Sequence, residues 1–150
     1  MPSSKIEVHE TMVRLLSEKL IQAQLDFALA KESRDSDTKS SAGDKYETGR
    51  EMMQREMDKL SASIDTYQKQ LVSMQAIIAT KPQDRIMLGS LIETNFETYY
   101  FSIGLGAIPC GTEIVYAISP ESPLGELMKG KREGDCLELR GRKITINHLS

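Results

Sequence analysis

The chain has 150 residues and a net charge of −3, so it lacks the broad basic face that binding to a phosphate backbone demands. Hydrophobic residues make up 39% and aromatics 5%, with no Trp, which is thin for one compact core but suits a chain of which half is a narrow helical hairpin. Cys110 and Cys136 form neither a CxxC pair nor a zinc pattern and read as ordinary thiols of a reducing compartment. Met-Pro-Ser-Ser-Lys leads into mixed polar sequence without an apolar h-region, and no stretch has the apolar length of a bilayer span. The expectation is a cytoplasmic protein.

The first helix is expected from Ser4, with Glu7 three residues later as a capping box. Ile6, Val13, Leu20 and Phe27 recur every seven residues, and Leu16, Ala23 and Ala30 form the companion row. This alternation is the a/d seam of a coiled coil. His9 takes the companion position in the first heptad, as a polar residue tolerated on a seam. Residues 32–43 have no apolar period and are rich in Ser, Asp and Gly, which marks a loop.

The second helix is expected from Asp44 to about Ala79. Met53, Leu60, Tyr67 and Met74 form one row, and Met57, Ile64, Leu71 and Ile78 the other. Such a helix is roughly 50 Å long. Two seams joined by a short polar loop bury themselves by packing antiparallel, giving a coiled-coil finger over residues 1–82 with an acidic tip near 35–47. The methionines of the seam read as filler. Pro82 ends the helical pattern.

Residues 83–150 change character. Strands are expected at residues 86–93, 98–103, 113–118, 136–139 and 143–146, with a turn at Asn95 and breaks at Gly104, Gly106, Pro109 and Gly111. Ser122-Pro123 reads as an N-cap and first residue of a short helix. The fold class is therefore α+β: an antiparallel helical hairpin followed by a small antiparallel sheet domain carrying one short helix.

Two motifs resemble a known family. Ser122-Pro123-Leu124-Gly125, Gly130-Lys131 and Gly134-Asp135 look like the S-P-L-G…G-K…G-D block of the GreA/GreB family of bacterial transcript-cleavage factors, and Ile86-Met87-Leu88-Gly89-Ser90 resembles that family's entry strand. Gly43-Asp44-Lys45-Tyr46-Glu47 is similar to its G-D-x-x-E tip. After the tip the chain departs from the family pattern with Thr48-Gly49-Arg50-Glu51, and Glu126 stands where the family often has arginine. The resemblance implies an FKBP-like sheet domain and a finger that enters the secondary channel of RNA polymerase. It implies that Asp44 and Glu47 help to hold a Mg²⁺ shared with the polymerase active site, near the RNA 3′ end, in a two-metal arrangement. It implies further that Ser119, Pro120, Glu121, Ser122, Pro123, Leu124 and Gly125 form the polymerase-docking loop. The protein would then be no enzyme itself but a monomeric factor that stimulates the polymerase's own nuclease, without membrane association.

The residues alone leave other readings open. Asp44 and Glu47 equally form a helix cap and capping box. Asp35 and Asp37 are further tip acids, and Lys31, Arg34, Lys39, Lys45 and Arg50 either face the RNA or form a solvated mixed-charge surface. His148 shows no nucleophilic partner. A Gre-like regulator that binds polymerase without provoking cleavage, a dimerising coiled-coil interaction protein and a prolyl isomerase are the competing functions.

Overall fold

The computed structural model describes residues 4–36 and 44–150, with the backbone alone at 44–46. Of the loop expected at residues 32–43, residues 32–36 are instead the last turn of α1, where Arg34 places a cation at the helix end; the rest, including Asp37, Lys39 and Gly43, lies outside the described residues, as do the side chains of Asp44 and Lys45. The element order is α1 (Lys5–Ser36), α2 (Asp44–Gln75), β1 (Leu91–Thr94), β2 (Thr98–Phe101), β3 (Gly106–Cys110), β4 (Glu113–Ile118), α3 (Pro123–Met128), β5 (Cys136–Leu139) and β6 (Arg142–Leu149). The protein is α+β, with two long helices followed by a mostly antiparallel six-stranded sheet and a short helix. Among the described residues no helix is long and apolar enough to cross a membrane.

The chain packs as two units, Leu15–Leu71 and a second comprising Met1–Arg14 with Val72–Ser150. In the first unit the burial along α1 and α2 follows the expected apolar rows. Leu16, Ala23 and Ala30 are buried and Leu20 and Phe27 partly so; on α2 Met57 is buried and Met53, Leu60, Ile64, Tyr67 and Leu71 are partly buried. Arg34 Nη1 donates to Gln54 Oε1 at 2.8 Å, and Gln54 Nε2 donates to Asp58 Oδ1 at 3.0 Å, so a polar relay joins the late part of α1 to the early part of α2.

In the second unit the start of α1 departs from the expected register. Ser4 caps it, its Oγ accepting from the Glu7 N–H at 3.2 Å. Val8 and Met12 are fully buried, whereas Ile6 is exposed and Val13 only partly buried. The reason is a change of partner: here the helix packs on the sheet. His9 Nδ1 lies 2.8 Å from Tyr100 Oη, Ser102 Oγ donates to Met12 Sδ at 3.8 Å, and Lys5 Nζ donates to the Lys81 carbonyl at 2.6 Å. His9 thus answers to a buried tyrosine of β2. Burial lowers its pKa, partly offset by Glu10, and pushes the Tyr100 hydroxyl up to about 12.

The end of α2 also differs. The helix stops at Gln75, four residues before the expected Ala79, and closes with a tight bond from the Ile77 N–H to the Met74 carbonyl at 3.1 Å. Ile77 is buried and Ile78 exposed. Gly89, at φ +92°, lets Ile77 approach: a Cβ there would lie 3.0 Å from Ile77 Cγ2.

The strand order is β3-β4-β2-β1-β6-β5. All neighbours are antiparallel except β2 and β4, which run parallel with Tyr100 opposite Ala117, so the expected wholly antiparallel sheet is corrected. The unexpected strand β3 lies in a stretch rich in strand breakers. It is an edge strand, where Pro109, opposite Ile114, forfeits no ladder bond on its outer side. Residues 86–90 are not strand. The Ile86 N–H bonds the Lys131 carbonyl at 2.8 Å and its carbonyl accepts from Gly130 at 2.9 Å, tying this segment to the end of α3 instead. Asn95 does more than turn the chain: its Oδ1 accepts from the Thr145 N–H at 2.8 Å beside a register shift between β1 and β6. The core gathers Ile86, Ile92, Phe101, Met128, Ile144 and Ile146.

Candidate functional site

The expected docking segment is built by local backbone chemistry. Ser122 has extended φ/ψ of −67° and 156° and caps α3; its Oγ accepts from the Gly125 N–H at 3.0 Å and donates to the Ser119 carbonyl at 2.8 Å. Pro123 follows at the first helical position, where no N–H is needed. Gly125 is buried, and a Cβ there would lie 2.0 Å from the Ser119 carbonyl oxygen. Each letter of S-P-L-G except leucine therefore has a backbone duty. Leu124 packs on the core of the sheet unit.

What remains for a partner is the outer side of this turn. Glu121 and Pro123 are exposed, and so is Leu127, which stands four residues beyond Pro123 on the same side of α3. The sequence reading omitted Leu127; the i, i+4 spacing from Pro123 was its only signal. Ser119, Pro120 and Glu121 also line a cleft of about 260 Å³ with Ile77, Leu88 and Ile103. The turn is thus a fixed, partly apolar knob beside a small cleft.

The tip acids stand differently. Asp44 is the first residue of α2, and Glu47, one turn on, is exposed. The spacing sets both positions on one side of the helix. What the Asp44 carboxylate contacts lies outside the described residues. Among the described residues no three His, Cys, Asp or Glu side chains gather to hold a metal ion, and Glu47 stands as a single oxygen donor group. Arg34 engages Asp35 at 3.0 Å as well as Gln54, and Asp35 is held in that pair.

The other singled-out groups have structural partners. His148 Nδ1 lies 3.1 Å from Glu133 Oε1, which also accepts from the Leu149 N–H at 2.8 Å. Cys110 is buried and outside any disulfide, and burial raises its thiol pKa; Cys136 is exposed, with its Sγ 3.5 Å from Thr145 Oγ1. Two further cavities bear on the isomerase reading. One of about 420 Å³ is lined by Ile6, Pro82 and Leu91 with no Phe, Tyr or Trp. The other, about 390 Å³, has Tyr99 as its one aromatic wall, and the Tyr99 hydroxyl donates to Glu97 Oε2 at 2.5 Å.

No family model matches the chain, and no curated protein or solved structure matches it.

Proposed function

We propose that this protein is a Gre-type transcription elongation factor, which binds RNA polymerase and stimulates the polymerase's own cleavage of backtracked RNA. In this reading α1 and α2 form an antiparallel coiled-coil finger, and the sheet unit is an FKBP-like docking domain. The bond from Arg34 to Gln54, late in one helix and early in the next, is what an antiparallel pair requires. The observation that carries the reading is the placement of Asp44 and Glu47 at the opening of a 32-residue helix, with Glu47 exposed.

The donor chemistry fits Mg²⁺, a hard cation that keeps several waters and accepts one or two carboxylates. Asp44 and Glu47 would hold it jointly with the polymerase, and the ion would steady charge on the oxygens of the phosphodiester being cut. The chain's own part is to carry two carboxylates on a long stiff helix and to anchor its other end. The turn at Ser119–Gly125 supplies the anchor, since a preformed turn loses little freedom on binding.

The test is the purified protein added to stalled, backtracked polymerase at a series of Mg²⁺ concentrations. Transcript cleavage is expected to rise with the wild-type protein. With Asp44→Asn it should fall by about a hundredfold at equal polymerase occupancy, with partial rescue by added Mg²⁺. A protein that binds polymerase and leaves the transcript intact at every Mg²⁺ concentration is instead a channel-occupying regulator. Absence of polymerase binding removes the assignment.

A further inference from the structure

The hairpin of β5 and β6 turns through Arg140 and Gly141, at φ +53° and +77°. Positive φ at both central residues suits the twist of a two-residue hairpin, and Asn-Gly, Asp-Gly or Gly-Gly is its usual sequence. Arginine is an awkward occupant, because its Cβ crowds the backbone in the left-handed region. Among the described residues Arg140 is the one non-glycine held there. It is exposed and makes no hydrogen bond or ion pair with another described residue. The fold gains nothing from this side chain that asparagine would not supply with less strain. Strain kept without a structural return points to a function.

Arg140 lines the cavity of about 390 Å³ whose apolar walls are Tyr99, Leu124, Leu139 and Ile144. That volume falls in the range of small-ligand sites. Arg142 lines it too and is fixed in place, its guanidinium 3.7 Å over the Phe96 ring and 3.4 Å from Glu97 Oε1. Arg140, Arg142 and Glu97 together leave one positive charge in excess. The other nearby acids face elsewhere. Leu139 stands opposite Arg142 on the cavity face of the hairpin, so Glu138 and Lys143, also opposite each other, lie on the other face. Glu113 shares the face of Val115, and Tyr116, which packs beside Tyr99, lies on the opposite one. Glu126 is two positions beyond Leu124, about 200° around α3. Glu121 lines the cleft with Pro120. Glu133 and Asp135 stand at the far end of β6, bonded to the N–H groups of Leu149 and Ile146.

We infer that this cavity binds a carboxylate carried on a small apolar body, such as an arylalkanoic acid. The carboxylate lies in the plane of the Arg140 guanidinium and accepts two parallel N–H bonds, with Arg142 beside it. The apolar body covers Leu124, Leu139 and Ile144. One excess positive charge is balanced by a monoanion, whereas a dianionic phosphate overshoots it. A protein chain ending in an apolar residue presents the same chemistry as the free acid. The inference stands on the sheet unit alone and is independent of the polymerase reading.

The experiment titrates the full-length protein and follows the backbone amides of Leu139, Arg140 and Ile144 by NMR. The probes are 4-phenylbutanoate, its neutral amide, phenyl phosphate, and a short peptide ending in phenylalanine as free acid or as amide. Each carboxylate should bind about tenfold tighter than its amide, and phenyl phosphate should bind more weakly than 4-phenylbutanoate. Tighter binding of the free acid or of the peptide terminus supports the site in either case and names the source of its ligand. Arg140→Asn should weaken 4-phenylbutanoate about tenfold. The same substitution should raise the urea midpoint, because asparagine accepts the left-handed region. Arg140→Lys keeps both charge and strain, and should bind between the wild type and Arg140→Asn. No shift with either carboxylate, equal binding of acid and amide, or tighter binding of the phosphate overturns the inference. So does an Arg140→Asn protein that binds as the wild type does or unfolds at lower urea.

Discussion

The turn at Ser119–Gly125 and the helix opening at Asp44–Glu47 carry the same sort of signal in sequence: a short polar residue and a second landmark three positions on. The structure separates them. In the turn, the serine and the glycine are consumed by the backbone, Ser122 as cap and Gly125 as the space for the Ser119 carbonyl. At the helix opening, Glu47 projects from an exposed position. A motif explained by folding predicts loss of stability on substitution. A motif left over after folding is explained predicts loss of function at unchanged stability.

Gly125→Ala breaks this comparison most severely if it is harmless. The added methyl meets a backbone carbonyl, which cannot rotate away, so unfolding free energy should fall by about 3 kcal/mol. Urea denaturation followed by circular dichroism measures this, and an unchanged midpoint refutes the assigned duty. Ser122→Ala removes the cap and the bond to the Ser119 carbonyl, and should cost about 1 kcal/mol by the same measurement. Pro123→Ser alters an exposed position and should shift the midpoint by less than about 0.5 kcal/mol, while polymerase retention in a pull-down drops; unchanged retention removes the turn from the interface. Glu47→Gln should have the smallest effect on stability, within about 0.5 kcal/mol, yet lower transcript cleavage. A stability loss with normal cleavage would return Glu47 to the capping-box reading.

The two ends of the α1 seam show where sequence reasoning held and where it did not. Leu16, Ala23 and Ala30 were legible because their burial follows the heptad spacing that the sequence shows directly. Val8 and Met12 were missed, and His9 was placed on a helix seam, because the start of α1 packs on the sheet unit, whose Tyr100 and Ser102 lie some 90 residues away in sequence. A flat partner accepts a broader helix face than a seam does, so the heptad rule placed Ile6 and Val13 where Val8 and Met12 belong. The same limit hid β3: Gly106 and Pro109 signal a break locally, and only an edge position makes a strand of them.

By itself the sequence determined the α+β class, two long helices, the cap and proline that open α3, and the strands at 113–118 and 136–139. All of these rest on interactions within a few residues: side-chain period, caps and turn chemistry. Only the tertiary structure decided that β2 and β4 run parallel, that α2 stops at Gln75 so that Ile77 can sit against Gly89, and that Gly125 serves the Ser119 carbonyl. It also decided that Ile21, Leu25 and Leu29 stay exposed. A heptad pattern reports that a residue is apolar, but burial depends on whether another element arrives to cover it.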